Sequence, residues 1–210
     1  MRTRIKICGI TTPDDALASI EAGADYLGLV LTESPRRISL DDARRIREAV
    51  PPGTMLVGVF AEEPPEAVAP IQSALRLAGV QVAGWLSREA PLPCETWHVL
   101  RTASLPDPNA LPMIPLHTYL LDTHDPGRPG GTGRTADWDW ARRAVNAGLR
   151  VFVAGGLTPE NVRDLVWNVR PFGVDASSGL EKAPGRKDPA RIRAFIAGVR
   201  EADRSRPRRS

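Results

Sequence analysis

A closed, parallel, eight-stranded (β/α)8 TIM barrel is the fold class the sequence predicts, and three observations carry that prediction. Eight short runs rich in Val, Ile and Leu recur along the 210 residues. Most are separated by stretches with helical spacing of apolar residues, and strand followed by helix, repeated, builds a parallel sheet. Eight units in this length average roughly 26 residues each, at the short end of what a barrel uses. A doubly wound open sheet has the same alternation and stays open as the alternative.

The runs fall at Ile5–Ile10, Asp25–Leu31, Met55–Phe60, Val80–Gly84, Trp97–Arg101, Tyr119–Asp122, Val151–Gly156 and Phe172–Ser177. Three of the intervening helices are opened by cap signals: Thr12-Pro13-Asp14-Asp15, Ser39-Leu40-Asp41-Asp42 and Thr158-Pro159-Glu160-Asn161. Ser87–Glu95 and Thr102–Pro115 are proline-rich and leave little room for a helix, so the fourth and fifth helices are expected to be short or degenerate. A single barrel domain over residues 1–203 is expected, followed by an Arg-rich, disordered tail at 204–210.

Composition narrows the function classes. With 42% hydrophobic and 25% charged residues the chain lies close to the globular average, which excludes disordered, collagen-like and coiled-coil classes. No apolar run approaches the roughly 18 to 20 residues of a bilayer span, and the N-terminus lacks the pattern of a secretory signal. A cytoplasmic protein without a membrane partner is expected. The net charge of +3 comes from the tail: without Arg204, Arg206, Arg208 and Arg209 the balance is 24 basic to 25 acidic, so nothing argues for a nucleic-acid surface. Cys8 and Cys94 are expected to be free thiols, because a chain of this size needs no disulfide.

In a parallel barrel the strand C-termini and the loops after them form the functional face. Here those ends carry Lys6-Ile7-Cys8-Gly9, Leu121-Asp122-Thr123, Ala154-Gly155-Gly156 and Asp175-Ala176-Ser177-Ser178-Gly179. Period-2 alternation sends Ile5 and Ile7 toward the helices and Lys6 and Cys8 into the barrel. A neighbouring cation favours the thiolate, so Lys6 is expected to activate Cys8 as base or nucleophile. Lys6 needs a partner of its own, and Asp175, inward-facing on the adjacent eighth strand, is the expected one. Asp122 across the mouth makes an acid/base pair with Cys8, which points to proton transfer on a small substrate.

The loops after strands seven and eight, with Gly155, Gly156, Ser178 and Gly179, have the small residues that let a phosphate approach backbone N–H groups. Arg36, after strand two, is positioned to hold an anionic group by its planar fork. Gly130-Gly131-Thr132-Gly133-Arg134-Thr135 has a Walker-like look but carries Arg128 where the first glycine belongs and Arg134 in place of the lysine, which argues against a nucleoside triphosphate. His98, His117 and His124 have no metal-ligand spacing and read as structural or surface residues, and Trp138 and Trp140 as packing for the sixth helix.

Lys6-Ile7-Cys8-Gly9-Ile10-Thr11, the Gly130 to Trp138 segment, Ala154-Gly155-Gly156-Leu157-Thr158-Pro159-Glu160-Asn161-Val162, and Gly173-Val174-Asp175-Ala176-Ser177-Ser178-Gly179-Leu180-Glu181 followed by Pro184-Gly185-Arg186-Lys187-Asp188 closely resemble the phosphoribosylanthranilate isomerase family of tryptophan biosynthesis. The resemblance spans nearly the whole chain. It implies a cofactor-free and metal-free Amadori rearrangement of N-(5-phosphoribosyl)anthranilate. By the family pattern Asp122 is the general acid that opens the ribose ring, and Cys8 is the base that removes the C2′ proton. The pattern also implies that Arg36 binds the anthranilate carboxylate and that the loops after strands seven and eight hold phosphate; Lys6 and Asp175, from their inward direction, are expected among the substrate-binding residues as well. One departure stands out: the family usually has Gln-Leu-His-Gly where this chain has Gln81-Val82-Ala83-Gly84, so altered pocket contacts are expected. A related phosphosugar isomerase and a non-catalytic phosphate-ligand binding protein remain as alternatives. Monomer and homodimer are equally compatible with an edge-free barrel.

Overall fold

The computed structural model describes residues 2–61, 63–83, 92–101, 105–122 and 135–205. Eight parallel strands close on themselves in chain order: β1 (Arg4–Cys8), β2 (Tyr26–Val30), β3 (Met55–Val59), β4 (Gly79–Val82), β5 (Glu95–Arg101), β6 (His117–Asp122), β7 (Val151–Ala154) and β8 (Gly173–Ala176). The closed ring decides between the barrel and the open sheet, since β8 pairs β1 with Lys6 in register with Asp175. Each strand lies within the run that predicted it or extends it by a residue or two toward the N-terminus.

Helices α1 (Pro13–Ala22), α2 (Leu40–Ala49), α3 (Pro65–Leu75), α4 (Thr135–Asn146), α5 (Val162–Val169) and α6 (Pro189–Ser205) cover the outside. The first two begin where their caps predict. Thr12 and Ser39 accept the N–H groups of Asp15 and Asp42, and Gly23 ends α1 at φ 102°, a left-handed conformation that glycine adopts without a Cβ clash. The third cap is corrected: α5 starts at Val162, because Thr158–Asn161 forms a turn in which the Thr158 carbonyl accepts the N–H groups of Asn161 and Val162. Between β5 and β6 the described residues hold one 3-10 turn, Pro108–Ala110, in keeping with a degenerate fifth helix. Of the span expected to hold the degenerate fourth helix, Ser87–Glu95, residues 87–91 lie outside the described residues, as do residues 130–134 of the Walker-like segment, whose Thr135 begins α4. The boundary expected at residue 203 falls inside α6, which runs through Ser205.

Two apolar cores follow from the strand alternation. Ile5, Ile7, Leu27, Leu29, Leu121 and Val153 face the helices and join α5 and α6 in one cluster, while Tyr26, Val57, Trp97, Leu120, Phe152 and Ala154 fill the barrel. Trp97 and Phe152 pack at 4.3 Å between ring centroids and Tyr26 meets Trp97 edge-on at 5.2 Å. Gly173 makes this layer possible, since a Cβ there would lie 2.3 Å from the Phe152 ring. Trp140 packs α4 as expected and donates its Nε1 proton to the Pro106 carbonyl at 2.8 Å.

His98 on β5 and His117 on β6 form a structural pair, with Nε2 of the first 2.8 Å from Nδ1 of the second. Such a contact needs one ring to accept, hence to be neutral. Burial pushes His117 below the ordinary imidazole value of 6.5. The unfolded chain therefore takes up a proton that the folded state refuses, and this contribution to stability is lost as pH falls through 6.5 toward the lower folded value. Urea midpoints measured from about pH 8 to about pH 5 should decline, and decline less in His117→Gln. Equal declines in the two proteins would remove His117 as the cause.

Candidate functional site

The C-terminal rim of the barrel gathers most of the residues singled out in the sequence. Lys6 and Cys8 project inward from β1, and Gly28, in register with Cys8 on β2, leaves the space the thiol occupies: a Cβ at Gly28 would lie 2.7 Å from Sγ. Lys6 Nζ donates to Asp175 Oδ2 at 2.9 Å and to Gln81 Oε1 at 2.8 Å. The pair expected between strands one and eight thus forms, and it recruits a glutamine from β4. Lys6 is fully enclosed and Asp175 nearly so, with side chains 0% and 7% exposed. Lys6 was expected among the substrate-binding residues. Its enclosed ammonium acts on the mouth of the barrel through its charge on Cys8.

Burial is the largest influence on Cys8 and pushes its thiol above the ordinary value of 9.0, and Asp175 adds to the rise. Lys6 and Lys187 act the other way. The cation beside Cys8 has the predicted sign but is outweighed, so the resting group is a thiol. For Lys6, burial opposes the charge, yet Asp175, joined by Cys8 when that group ionises, overcomes it and holds the ammonium above its ordinary value. Asp122 ends β6 in register with Ala154 of β7, two residues beyond the inward-facing Leu120. Its charge acts on Asp175. Asp175 therefore stands electrostatically between Cys8 and Asp122.

The loop after β7 turns through Gly155 at φ 88° and Gly156 at φ 68°, conformations that exclude most side chains. Asn161 ties this turn to α5, donating from Nδ2 to the Gly156 carbonyl at 3.0 Å and accepting the Thr158 N–H at 2.9 Å. Ser178 opens a 3-10 turn (Ser178–Leu180) after β8 and is exposed. Gly179 has a reason the sequence did not suggest. A Cβ there would sit 2.1 Å from the Leu157 carbonyl, so its small size also brings the two loops into contact.

Arg36 lies over Gly9, whose missing Cβ would meet its Cδ at 2.6 Å. Its Nε and Nη2 donate to the two carboxylate oxygens of Glu181 at 2.8 Å each. Glu181 begins a short hairpin, β9 (Glu181–Ala183) and β10 (Arg186–Lys187), and also accepts a 2.8 Å hydrogen bond from Lys187. Ala83, at the position of the usual family histidine, is half-buried after β4 and donates its N–H to the Ala61 carbonyl. Among the described residues no group of three or more His, Cys, Asp or Glu side chains lies together as metal ligands would.

Four residues of this site went unassigned in the sequence. Gly28 had a signal, since a glycine inside an apolar strand marks close approach. Gln81, a polar residue in a buried run, had another. Glu181 and Lys187 lay in recognised motifs, but nothing local reveals that they bond to each other and to Arg36.

Comparisons with known proteins agree with this fold. The family model described as N-(5'phosphoribosyl)anthranilate (PRA) isomerase matches residues 5–198. An N-(5'-phosphoribosyl)anthranilate isomerase of Trichlorobacter lovleyi is 43% identical over 205 residues, covering 95% of this chain and 98% of the relative. Among solved structures, phosphoribosyl anthranilate isomerase from Thermotoga maritima superposes with a TM-score of 0.83 at 38% identity, over 95% of this chain and 99% of that one. A phosphoribosyl anthranilate isomerase in complex with reduced 1-(o-carboxyphenylamino)-1-deoxyribulose 5-phosphate matches with a TM-score of 0.79 at 34% identity, over 95% and 99%.

The Lys6–Asp175 pair can be tested by itself. Lys6→Met leaves a buried carboxylate without its cation and should lower stability by about 3 to 5 kcal/mol, whereas Lys6→Met combined with Asp175→Leu should recover much of the loss. Urea unfolding of the three proteins measures this. A double variant no more stable than the single one would show that the pair is not what holds these strands.

Proposed function

The chain belongs to the N-(5'-phosphoribosyl)anthranilate isomerase family, and from that premise we propose how its own residues carry the reaction. The protein isomerises N-(5'-phosphoribosyl)anthranilate in tryptophan biosynthesis. This sets aside the non-catalytic alternative. The rearrangement oxidises C2′ and reduces C1′ of the same sugar, so its electrons balance inside the substrate and its protons need only one acid and one base.

Asp122, in its acid form, protonates the ribose ring oxygen; the C1′–O bond breaks and the electron pair on nitrogen forms an iminium ion. Cys8, as thiolate, removes the C2′ proton, and the resulting enolamine tautomerises to the ketone. What carries this assignment is the placement of both groups on one rim, at the ends of β1 and β6, each coupled to the charge of Asp175. Lys6 and Lys187 stabilise the thiolate against a burial that disfavours it. Arg36 receives the anthranilate carboxylate. The paired loops at Gly155-Gly156 and Ser178-Gly179 hold the phosphate, with Asn161 and the Gly179–Leu157 contact keeping them together. We place the enzyme in the cytoplasm, acting on this small molecule as a monomer or homodimer with no nucleic-acid partner. Among the described residues no helix is long and apolar enough to cross a membrane.

Loss of anthranilate fluorescence on adding freshly made phosphoribosylanthranilate follows the reaction directly. Cys8→Ala and Asp122→Asn should each lower kcat at least about 100-fold with the fold retained. More than about a tenth of wild-type turnover in either variant would exclude that residue from its role.

The phosphate loops make a separate prediction. Ser178→Asp places a negative charge on an exposed position of the loop after β8 without touching Gly179. It should raise KM and weaken inhibition by inorganic phosphate in parallel, each by about tenfold or more. Unchanged phosphate inhibition would move the phosphate away from this loop.

A further inference from the structure

The proposed chemistry uses Arg36 and the charge of Lys187 but gives no role to Glu181, which lies between them. Glu181 takes 2.8 Å hydrogen bonds from Arg36 Nε, Arg36 Nη2 and Lys187 Nζ, and Lys187 Nζ also lies 3.3 Å from the Ser177 carbonyl oxygen and 3.4 Å from its Oγ. The Glu181 and Lys187 side chains are 5% and 0% exposed, against 22% for Arg36. Burial opposes the charge on Glu181, but the bonds from Arg36 and Lys187 hold it ionised and below the ordinary carboxylate value.

Two physical consequences follow. Glu181 cannot swing aside for a ligand, because that would strand the enclosed Lys187 ammonium without its carboxylate. A guanidinium also has two bidentate edges, Nε with Nη2 and Nη1 with Nη2, and Glu181 occupies only the first. Among the described residues nothing bonds Nη1. The cluster of Arg36, Lys187 and Glu181 further carries one net positive charge, the complement of a single carboxylate.

We propose that Glu181 is a positioning residue for carboxylate recognition: it clamps the Nε edge of Arg36, is itself anchored by Lys187, and leaves the Nη1/Nη2 end as the one edge offered to the substrate. This rests on the reading of Arg36 as the partner of the anthranilate carboxylate. Glu181 touches no substrate in this arrangement. It acts by fixing the plane and direction of the Arg36 fork, whose planar donors lose their advantage over a flexible point charge once the fork is free to rotate.

The test compares two competitive inhibitors, reduced 1-(o-carboxyphenylamino)-1-deoxyribulose 5-phosphate and its phenylamino counterpart lacking the carboxylate, in wild type, Arg36→Met, Glu181→Ala and Glu181→Gln. The preference for the carboxylated inhibitor should fall about tenfold in Glu181→Ala, less in Glu181→Gln, whose amide oxygen still accepts from Arg36, and furthest in Arg36→Met. In turnover the Glu181→Ala loss should appear in KM more than in kcat. If Glu181→Ala does not fold because Lys187 is left unpaired, Glu181→Ala combined with Lys187→Met removes both charges and carries the same expectation for inhibitor preference, which does not depend on the Cys8 thiolate. A preference that survives in the Glu181 variants but collapses in Arg36→Met overturns the positioning role alone. A preference unchanged in Arg36→Met overturns the reading of Arg36, and this proposal with it.

Discussion

The ion pair between Lys6 and Asp175 ties the architecture to the site. An ammonium enclosed in a barrel is tolerable only when a carboxylate and further hydrogen bonds meet it. Here they come from β8 and β4, strands that reach Lys6 only if the sheet has curled fully round and β8 has docked on β1. Barrel closure and assembly of the site are therefore one event. A buried pair of this kind is poor evidence for added stability, because apolar residues of the same volume would serve as well. Its value lies in what it places next to Cys8, a fixed cation below a thiol that burial alone would keep protonated.

Two charged networks flank that thiol and divide the work. The inner one, Lys6 with Asp175 and Gln81, sits above the aromatic layer, with Lys6 Nζ 5.6 Å from the Trp97 ring. The outer one, Arg36 with Glu181 and Lys187, lies beside the mouth on a hairpin outside the barrel proper. The inner network is borne on strands, and its charges act on the Cys8 thiol. The outer one joins the loop after β2 to the hairpin after β8, where loops carry what a fixed scaffold positions.

The opposite, N-terminal end of the barrel also has charge, used differently. Asp25 gathers Arg2, Arg4 and Arg200, and Glu95 accepts from Thr118 and Arg150 while Arg150 covers the Phe172 ring at 4.3 Å. These pairs join chain segments far apart in sequence and close the bottom of the core. The polarity of the fold, chemistry at strand C-termini and fastening at the N-termini, follows from which ends carry the variable loops.

Local chemistry was enough to determine the eight strands, the caps of α1 and α2, the inward direction of Lys6 and Cys8, and the partnership of Lys6 with Asp175. Each depends on alternation, a cap side chain or the order of neighbouring strands, and these are properties of short segments. The family motifs likewise lie in continuous stretches, so the reaction was legible before any coordinates. Tertiary structure alone decided the rest. The start of α5 at Val162 depends on the turn Asn161 ties to Gly156, the small size of Gly179 answers to the Leu157 carbonyl, and the net push on the Cys8 thiol depends on how completely the closed barrel excludes water. The bonds of Glu181 to Arg36, 145 residues away, appear only when the hairpin after β8 meets the loop after β2, because sequence spacing holds no record of distances set by closure of the ring.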